Sequence, residues 1–263
     1  MIDTHSHLDF TDYDKDRDEV IARFFNHGGK AIINIGVDSE TIVSTLELAK
    51  NFENIFCAIG YHPHNADKKL GGMSEKNAGA LEEYAIRNKK VVAIGEIGLD
   101  YFHNNKNKEQ QKKMFIRQIK IAKSANLPIV IHCRDAYEDL FEIISRGEYK
   151  NMKVVVHCYG GNILQTEQFL SLKNLTFSFT GNITFPKKED AEIFKVIRMI
   201  PSERIMVETD CPFLAPVPAR GKRNESLYVR YVIEKISKIR KVIVEDFERI
   251  TDNNACNFFN LSL

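Results

Sequence analysis

Residues 128–132, Pro-Ile-Val-Ile-His, and residues 153–157, Lys-Val-Val-Val-His, each place a short β-branched run directly before a histidine. Runs of this length, bounded by polar residues, read as buried strands. Working outward, the same kind of run recurs at 1–4, 30–36, 55–60, 91–95, 174–179 and 204–208, which makes eight strand candidates. Between strands, apolar residues recur at helical spacing, as in Ile42, Leu46, Ala49 and in Phe115, Ile119, Ala122. These are the patterns of amphipathic crossover helices. Eight β-then-α units in roughly 250 residues predict an α/β fold of the (β/α)8 TIM-barrel type, with functional groups at the C-terminal ends of the strands. An open doubly wound sheet is the competing architecture, because alternation alone does not establish closure. Residues 225–263 carry two further helical patterns, through Tyr228, Val232, Ile236 and through Phe247, Ile250, Ala255, Phe259. The sequence has no internal repeat, low-complexity tract or linker, so residues 1–263 are expected to form one domain.

Five of the apolar runs end on a side chain of metal-ligand type: His5 and His7, Glu96, His132, His157 and Asp210. A buried strand that finishes on an imidazole or carboxylate is costly unless that group is paired or coordinated, so the repetition predicts one shared metal site. His5-Ser6-His7 has period-two spacing, which puts both rings on one face of an extended strand. His132 and His157 close consecutive strands, which in a parallel sheet lie about 4.8 Å apart. Asp210 ends the eighth strand, which abuts the first in a closed barrel. Glu208 shares its face farther from the mouth and is expected to be a buried partner. Glu96 lies in Gly95-Glu96-Ile97-Gly98-Leu99-Asp100, where flanking glycines permit tight backbone turns. Its position connects the His5, His7 and Asp210 side of the mouth with the His132 and His157 side. Two divalent ions ~3.5–4 Å apart and bridged by Glu96 would activate a water and clamp a phosphoryl oxygen. Mixed nitrogen and oxygen donors suit Zn, Mn or Fe, with Mg also compatible. Glu96 and Asp210 are the expected catalytic carboxylates, Asp210 as acceptor of the water proton. The chain therefore reads as a metallohydrolase.

Composition sets the class of partner. With 37 basic and 36 acidic residues the formal net charge is +1, so no broad electropositive field is available to coat duplex DNA. An anionic substrate must be gripped locally. No stretch approaches the ~20 apolar residues of a membrane span, and the first strand begins at Met1, so a soluble cytoplasmic protein is expected. Cys57, Cys133, Cys158, Cys211 and Cys256 show no CxxC spacing and are expected to be reduced, packed thiols.

Seven ordered motifs, IDTHSHLDF, GYHPHNAD, IGEIGLDY, IHCRDA, VVHCYGG, ETDCPFLAP and GKRNES, run from Ile2 to the last helical pattern. In them the chain resembles the TatD-type metal-dependent deoxyribonucleases of the amidohydrolase-like barrels. The resemblance implies a TIM barrel, hydrolysis of DNA phosphodiesters and metal-site roles for His5, His7, Glu96, His132, His157 and Asp210. The chain departs from the family pattern at Ser226, where a proline usually follows Asn-Glu, a difference that bears on local rigidity.

Residues expected to hold phosphate surround the same mouth. His62 and His64 flank Pro63 in the loop after the third strand, and Arg134 follows the fifth strand with a bidentate guanidinium. Lys222 and Arg223 lie in a basic run after the eighth strand. His27 and His103 carry no assigned role. The expected substrate is single-stranded DNA or a frayed strand end, with RNA as a second polymer and no obligate protein partner. The competing functions are a small-molecule amidohydrolase, lactonase or phosphotriesterase on the same barrel, and a noncatalytic zinc protein. The lysine-bridged dinuclear subclasses fit poorly, because Lys89 and Lys90 precede the fourth strand and Glu96 occupies its functional end. Structural zinc normally has a closed site of four ligands, whereas six candidates at a barrel mouth fit an open one.

Overall fold

A computed structural model of the protein describes residues 1–66, 73–103 and 105–263. The β-branched runs form β1 (Ile2–Ser6), β2 (Ala31–Gly36), β3 (Ile55–Ile59), β4 (Val91–Asp100), β5 (Ile129–Arg134), β6 (Val154–Val156), β7 (Leu175–Phe179) and β8 (Ile205–Val207). Between them lie α1 (Arg17–Asn26), α2 (Ser39–Asn51), α3 (Glu75–Arg87), α4 (Lys108–Ser124), α5 (Tyr137–Ile144), α6 (Ile163–Leu170) and α7 (Glu192–Met199). Helices α8 (Val229–Arg240) and α9 (Val244–Phe259) follow β8. No described helix is long and apolar enough to cross a membrane.

All eight strands belong to one sheet in the order β1-β2-β3-β4-β5-β6-β7-β8. A doubly wound sheet reverses its strand order at a switch point, and no reversal occurs here. The segment leaving β8 returns to the first strand, where Ser6 and Cys211 form a parallel bridge. This is the (β/α)8 topology.

The chain falls into two compact units. The first comprises Met1–Asn34, Cys158–Ser171 and Thr176–Leu263. Its core includes Ile2, Ile21, Phe24, Phe177, Phe179, Val232 and Phe247, all buried. The second comprises Ile35–His157 with Leu172–Leu175. Ile55, Ile59, Ile94, Ile97, Phe115, Ile119, Ile129 and Leu140 fill its core.

Three strands run past their expected ends: β1 reaches Ser6, and β4 and β5 go on together. The apolar pattern breaks at Gly95, yet β4 continues to Asp100 and β5 to Arg134, paired in register from Ile97↔Ile131 to Asp100↔Arg134. Before that stretch, Ile94 pairs with Ile129, so β4 takes three steps while β5 takes two. The extra residue falls at Gly95-Glu96, a bulge of the kind that re-aims a side chain. The glycines make it possible. A Cβ on Gly95 would meet the Val130 side chain at 2.5 Å, and one on Gly98 (φ +144°) would meet the His132 carbonyl oxygen at 2.1 Å. In the first unit the same irregularity occurs on β1, where Asp3↔Ile32 is followed by Ser6↔Asn34 around His5.

Candidate metal centre

The first unit gathers His5, His7 and Asp210. Backbone bonds set their places, with Asp210 N–H donating to His5 O at 2.9 Å and His7 N–H to Cys211 O at 2.9 Å. Asp210 has φ +55°, a left-handed conformation that aspartate tolerates better than most residues. Asn224 clasps this turn, its Nδ2 donating to Thr209 O at 2.9 Å and to Phe213 O at 2.6 Å. One carboxylate oxygen, Asp210 Oδ1, then faces His5 Nε2 at 3.6 Å and His7 Nε2 at 3.4 Å. Both rings are buried. Phe10 stacks on His7 with centroids 4.7 Å apart, which fixes the ring from its apolar side.

Beneath this triad, Asp3 Oδ1 and Oδ2 accept from Thr209 N–H (2.9 Å) and Thr209 Oγ1 (2.7 Å). Burial pushes the Asp3 carboxyl up to about 7 despite hydrogen bonds from Thr209 and Ser226. Ser226 thus supplies a hydroxyl contact that a proline could not. Glu208, expected to be a buried partner, is buried and accepts from Cys158 N–H at 2.6 Å.

The second unit gathers its donors around Glu96. Its Oε1 lies 2.7 Å from His132 Nδ1, 2.9 Å from His157 Nε2 and 3.7 Å from His62 Nε2. Burial alone would push the Glu96 carboxyl up, but His157, His62 and His132 overcome it and hold the group well below the usual carboxylate range. Burial is the largest influence at His62 and, against the attraction of Glu96, holds its pKa well below the usual imidazole value. At His132 burial also favours the neutral ring, yet hydrogen bonds to Asp100 and Glu96 outweigh it and raise the pKa.

Asp100 was not among the sequence candidates. It is fully buried at the end of β4, and its Oδ2 lies 3.0 Å from His132 Nε2. It orients the ring whose other nitrogen faces Glu96, as the outer carboxylate of a metal-ligating histidine does. The signal was period two: Gly98 and Asp100 share a face of an extended strand, but the apolar run that marks the strand stops earlier. Two glutamines one heptad apart on α4 hold the flanking backbone. Gln118 bonds both Tyr61 N–H (2.7 Å) and Tyr61 O (3.0 Å), and Gln111 bonds Asp100 N–H (2.7 Å) and Asp100 O (2.9 Å).

The residues expected to grip phosphate divide. His62 turns to Glu96, and His64 Nε2 to Asp100 Oδ2 at 3.0 Å. Arg134 is exposed and lies over the Phe102 ring at 4.6 Å, and Lys222 is exposed. Arg223 is engaged elsewhere, paired with Asp16 through two bonds of 2.8 and 2.6 Å and lying 4.4 Å over Tyr13. Its guanidinium ties the loop after β8 to the start of α1. None of the five cysteines is in a disulfide; Cys57 and Cys211 are buried and the others half-buried.

The donor sets suit a divalent ion. In each of two groups, His5, His7, Asp210 and His62, Glu96, His132, two ring nitrogens and one carboxylate oxygen lie within 4.8 Å of one another. Imidazole with carboxylate is the chemistry of Zn, Mn and Fe sites that keep positions open.

Comparison with known proteins agrees with this chemistry. The family described as TatD related DNase matches residues 2–260. A metal-dependent hydrolase of Bacillus subtilis, YabD, is 38% identical over 262 residues, covering 100% of both chains. A protein of Escherichia fergusonii named "3'-5' ssDNA/RNA exonuclease TatD" is 28% identical over 266 residues, again covering 100% of both. The crystal structure of YjjV, a TatD homologue from Escherichia coli, superposes with a TM-score of 0.90 at 28% identity, covering 100% of this chain and 98% of that one.

Proposed function

This chain belongs to the TatD related DNase family and is a metal-dependent hydrolase, and we propose that it cleaves phosphodiester bonds at single-stranded or frayed DNA ends. The observation that carries the reading is the pair of His/carboxylate clusters, each with its donors in or just after the strands. We assign one divalent ion to His5, His7 and Asp210 and a second to Glu96, His132 and His157, with Zn or Mn ahead of Mg on donor type. Bound there, such ions would polarise a phosphoryl oxygen and ready a water for attack. Asp210, beside both imidazoles of the first cluster, takes the proton of the attacking water. Asp100 holds the His132 ring in place, and Glu96 stays ionised as a ligand.

Exposed Arg134 and Lys222 are the leading phosphate contacts. His62 and His64 act through the carboxylates they touch, and Arg223 shapes the loop that carries Lys222. One family match spanning residues 2–260 supports treating 1–263 as a single functional domain. The absence of a membrane-crossing helix among the described residues is compatible with action in the cytoplasm. The E. fergusonii relative is named for both single-stranded DNA and RNA, which makes RNA the second polymer to test.

The test is a gel of end-labelled single-stranded DNA and RNA with Mg, Mn or Zn added, run beside a panel of small esters, lactones, amides and phosphotriesters. Metal-dependent shortening from one end is expected. Turnover of small substrates alone would replace the nuclease reading with a small-molecule hydrolase. Glu96→Ala protein, analysed for bound metal in parallel, is expected to lose metal and several kcal/mol of transition-state stabilisation. Loss of both ions would mark Glu96 as a shared ligand, whereas unchanged rate and metal content would sink the two-ion reading.

A further inference from the structure

His103, to which the sequence assigns no role, meets Asp100 twice. Its backbone N–H donates to Asp100 Oδ1 at 2.8 Å and its Nδ1 lies 2.9 Å from Oδ2. His64 Nε2 and His132 Nε2 each lie 3.0 Å from the same Oδ2. Three imidazole nitrogens therefore converge on one carboxylate oxygen. Such an oxygen offers two lone-pair directions, so three simultaneous N–H donors overfill it. A cation between Oδ2 and two unprotonated nitrogens removes the conflict and leaves the third nitrogen, on His132, as donor.

We propose that His64, Asp100 and His103 form a further divalent-metal site, distinct from the two clusters assigned above. The three ligand atoms lie within 4.8 Å of one another. Zn–N and Zn–O bonds of about 2.0–2.2 Å hold tetrahedral ligands roughly 3.3 Å apart, so the observed 2.9 and 3.0 Å need only a small outward shift of the rings. The rings can make it, since the His64 and His103 side chains are 47% and 52% exposed. Their exposure also provides the entry path. Asp100 is the fixed member, buried and held through both backbone groups by Gln111. Two imidazoles and one carboxylate select a borderline ion such as Zn(II) or Co(II) over Mg or Ca, and three protein ligands leave exchangeable positions facing solvent. The site is weaker than a closed four-ligand one.

The test is titration of chelator-stripped protein with Co(II) and then Zn(II), followed by calorimetry and by the visible Co(II) absorption. Wild type is expected to take up one equivalent more than His103→Ala, with that equivalent contributing its own visible band. His64→Ala, made independently, is expected to lose the same equivalent and band. Removing a direct ligand should weaken the site by more than the roughly 10–100-fold that loss of an outer-shell partner causes. Equal stoichiometry and identical Co(II) spectra in wild type and both variants, with circular dichroism showing folded protein, would leave a hydrogen-bonded cluster and overturn the proposal. His7→Ala separates the two readings. If His7→Ala takes up as many equivalents as wild type while the His103-dependent equivalent persists, the assignment of the first cluster fails and this site stands.

Discussion

Asp210 concentrates the residue-scale chemistry. Its Oδ1 faces two buried imidazole nitrogens at 3.4 and 3.6 Å, while its side chain keeps 16% exposure, enough to meet a water. A positioned carboxylate that accepts a proton contributes about 10²–10⁴-fold to rate, so Asp210→Asn is expected to lower turnover by that order with oligonucleotide affinity nearly kept. Single-turnover cleavage and a binding isotherm on the same protein measure the two effects. Collapse of binding with normal turnover would remove the proton-acceptor role. Arg223, next to exposed Lys222, is paired with Asp16. The ion pair of Arg223 with Asp16 is about one-third exposed on both sides, so Arg223→Ala is expected to cost only about 1 kcal/mol of stability, read from a denaturant midpoint.

At the scale of elements, the junction of β4 and β5 positions the second cluster. The bulge at Gly95-Glu96 re-aims Glu96, and regular pairing resumes so that Gly98 sits opposite His132. Gly98 is irreplaceable there for two reasons, a φ of +144° and a carbonyl oxygen 2.1 Å from where a Cβ would stand. Gly98→Ala is therefore expected to destabilise by on the order of 3 kcal/mol and to displace His132, lowering metal affinity as well as the melting temperature. A variant that melts and binds metal like wild type would show that the pairing is looser than described. Gln118 on α4 has no such steric role, but it satisfies two buried backbone groups of Tyr61. Its truncation to alanine strands both, at about 1–3 kcal/mol for each group left unsatisfied, and hydrogen exchange at Tyr61 would report the loss.

For the whole molecule, a net charge of +1 leaves affinity for a polyanion to a few exposed groups. Lys222→Ala is expected to weaken single-stranded oligonucleotide binding and to flatten its salt dependence by roughly 0.7 per lost contact. Binding measured on Asp210→Asn protein across a salt series avoids interference from cleavage, and an unaltered slope would return Lys222 to a solvated loop. Metal and folding are linked in the same global way. An ion that binds only the folded chain stabilises it by about 2.7 kcal/mol at a hundredfold excess over its dissociation constant. Chelation is expected to lower the melting temperature and added Zn or Mn to restore it, whereas an unchanged melt would argue against tight ions at either cluster.

The sequence by itself determined the strand and helix order and the six ligand candidates, because period-two and period-3.6 patterns and apolar runs ending on His, Glu or Asp are local signals. It placed His5, His7 and Asp210 together correctly, since the order of strands in a closed barrel makes the first and last neighbours. Tertiary structure alone decided the rest. The bulge at Glu96 depends on a one-residue mismatch between two strands, and a slip of one residue changes the face a side chain occupies. Asp100 became the oxygen on which His64, His103 and His132 converge only because β4 outlasts its apolar run. Arg223 was claimed by Asp16, 207 positions earlier in the chain. Pairings at that separation leave no periodic trace in the intervening residues, so the contact that fixes each side chain exists only once the fold has brought its partner within reach.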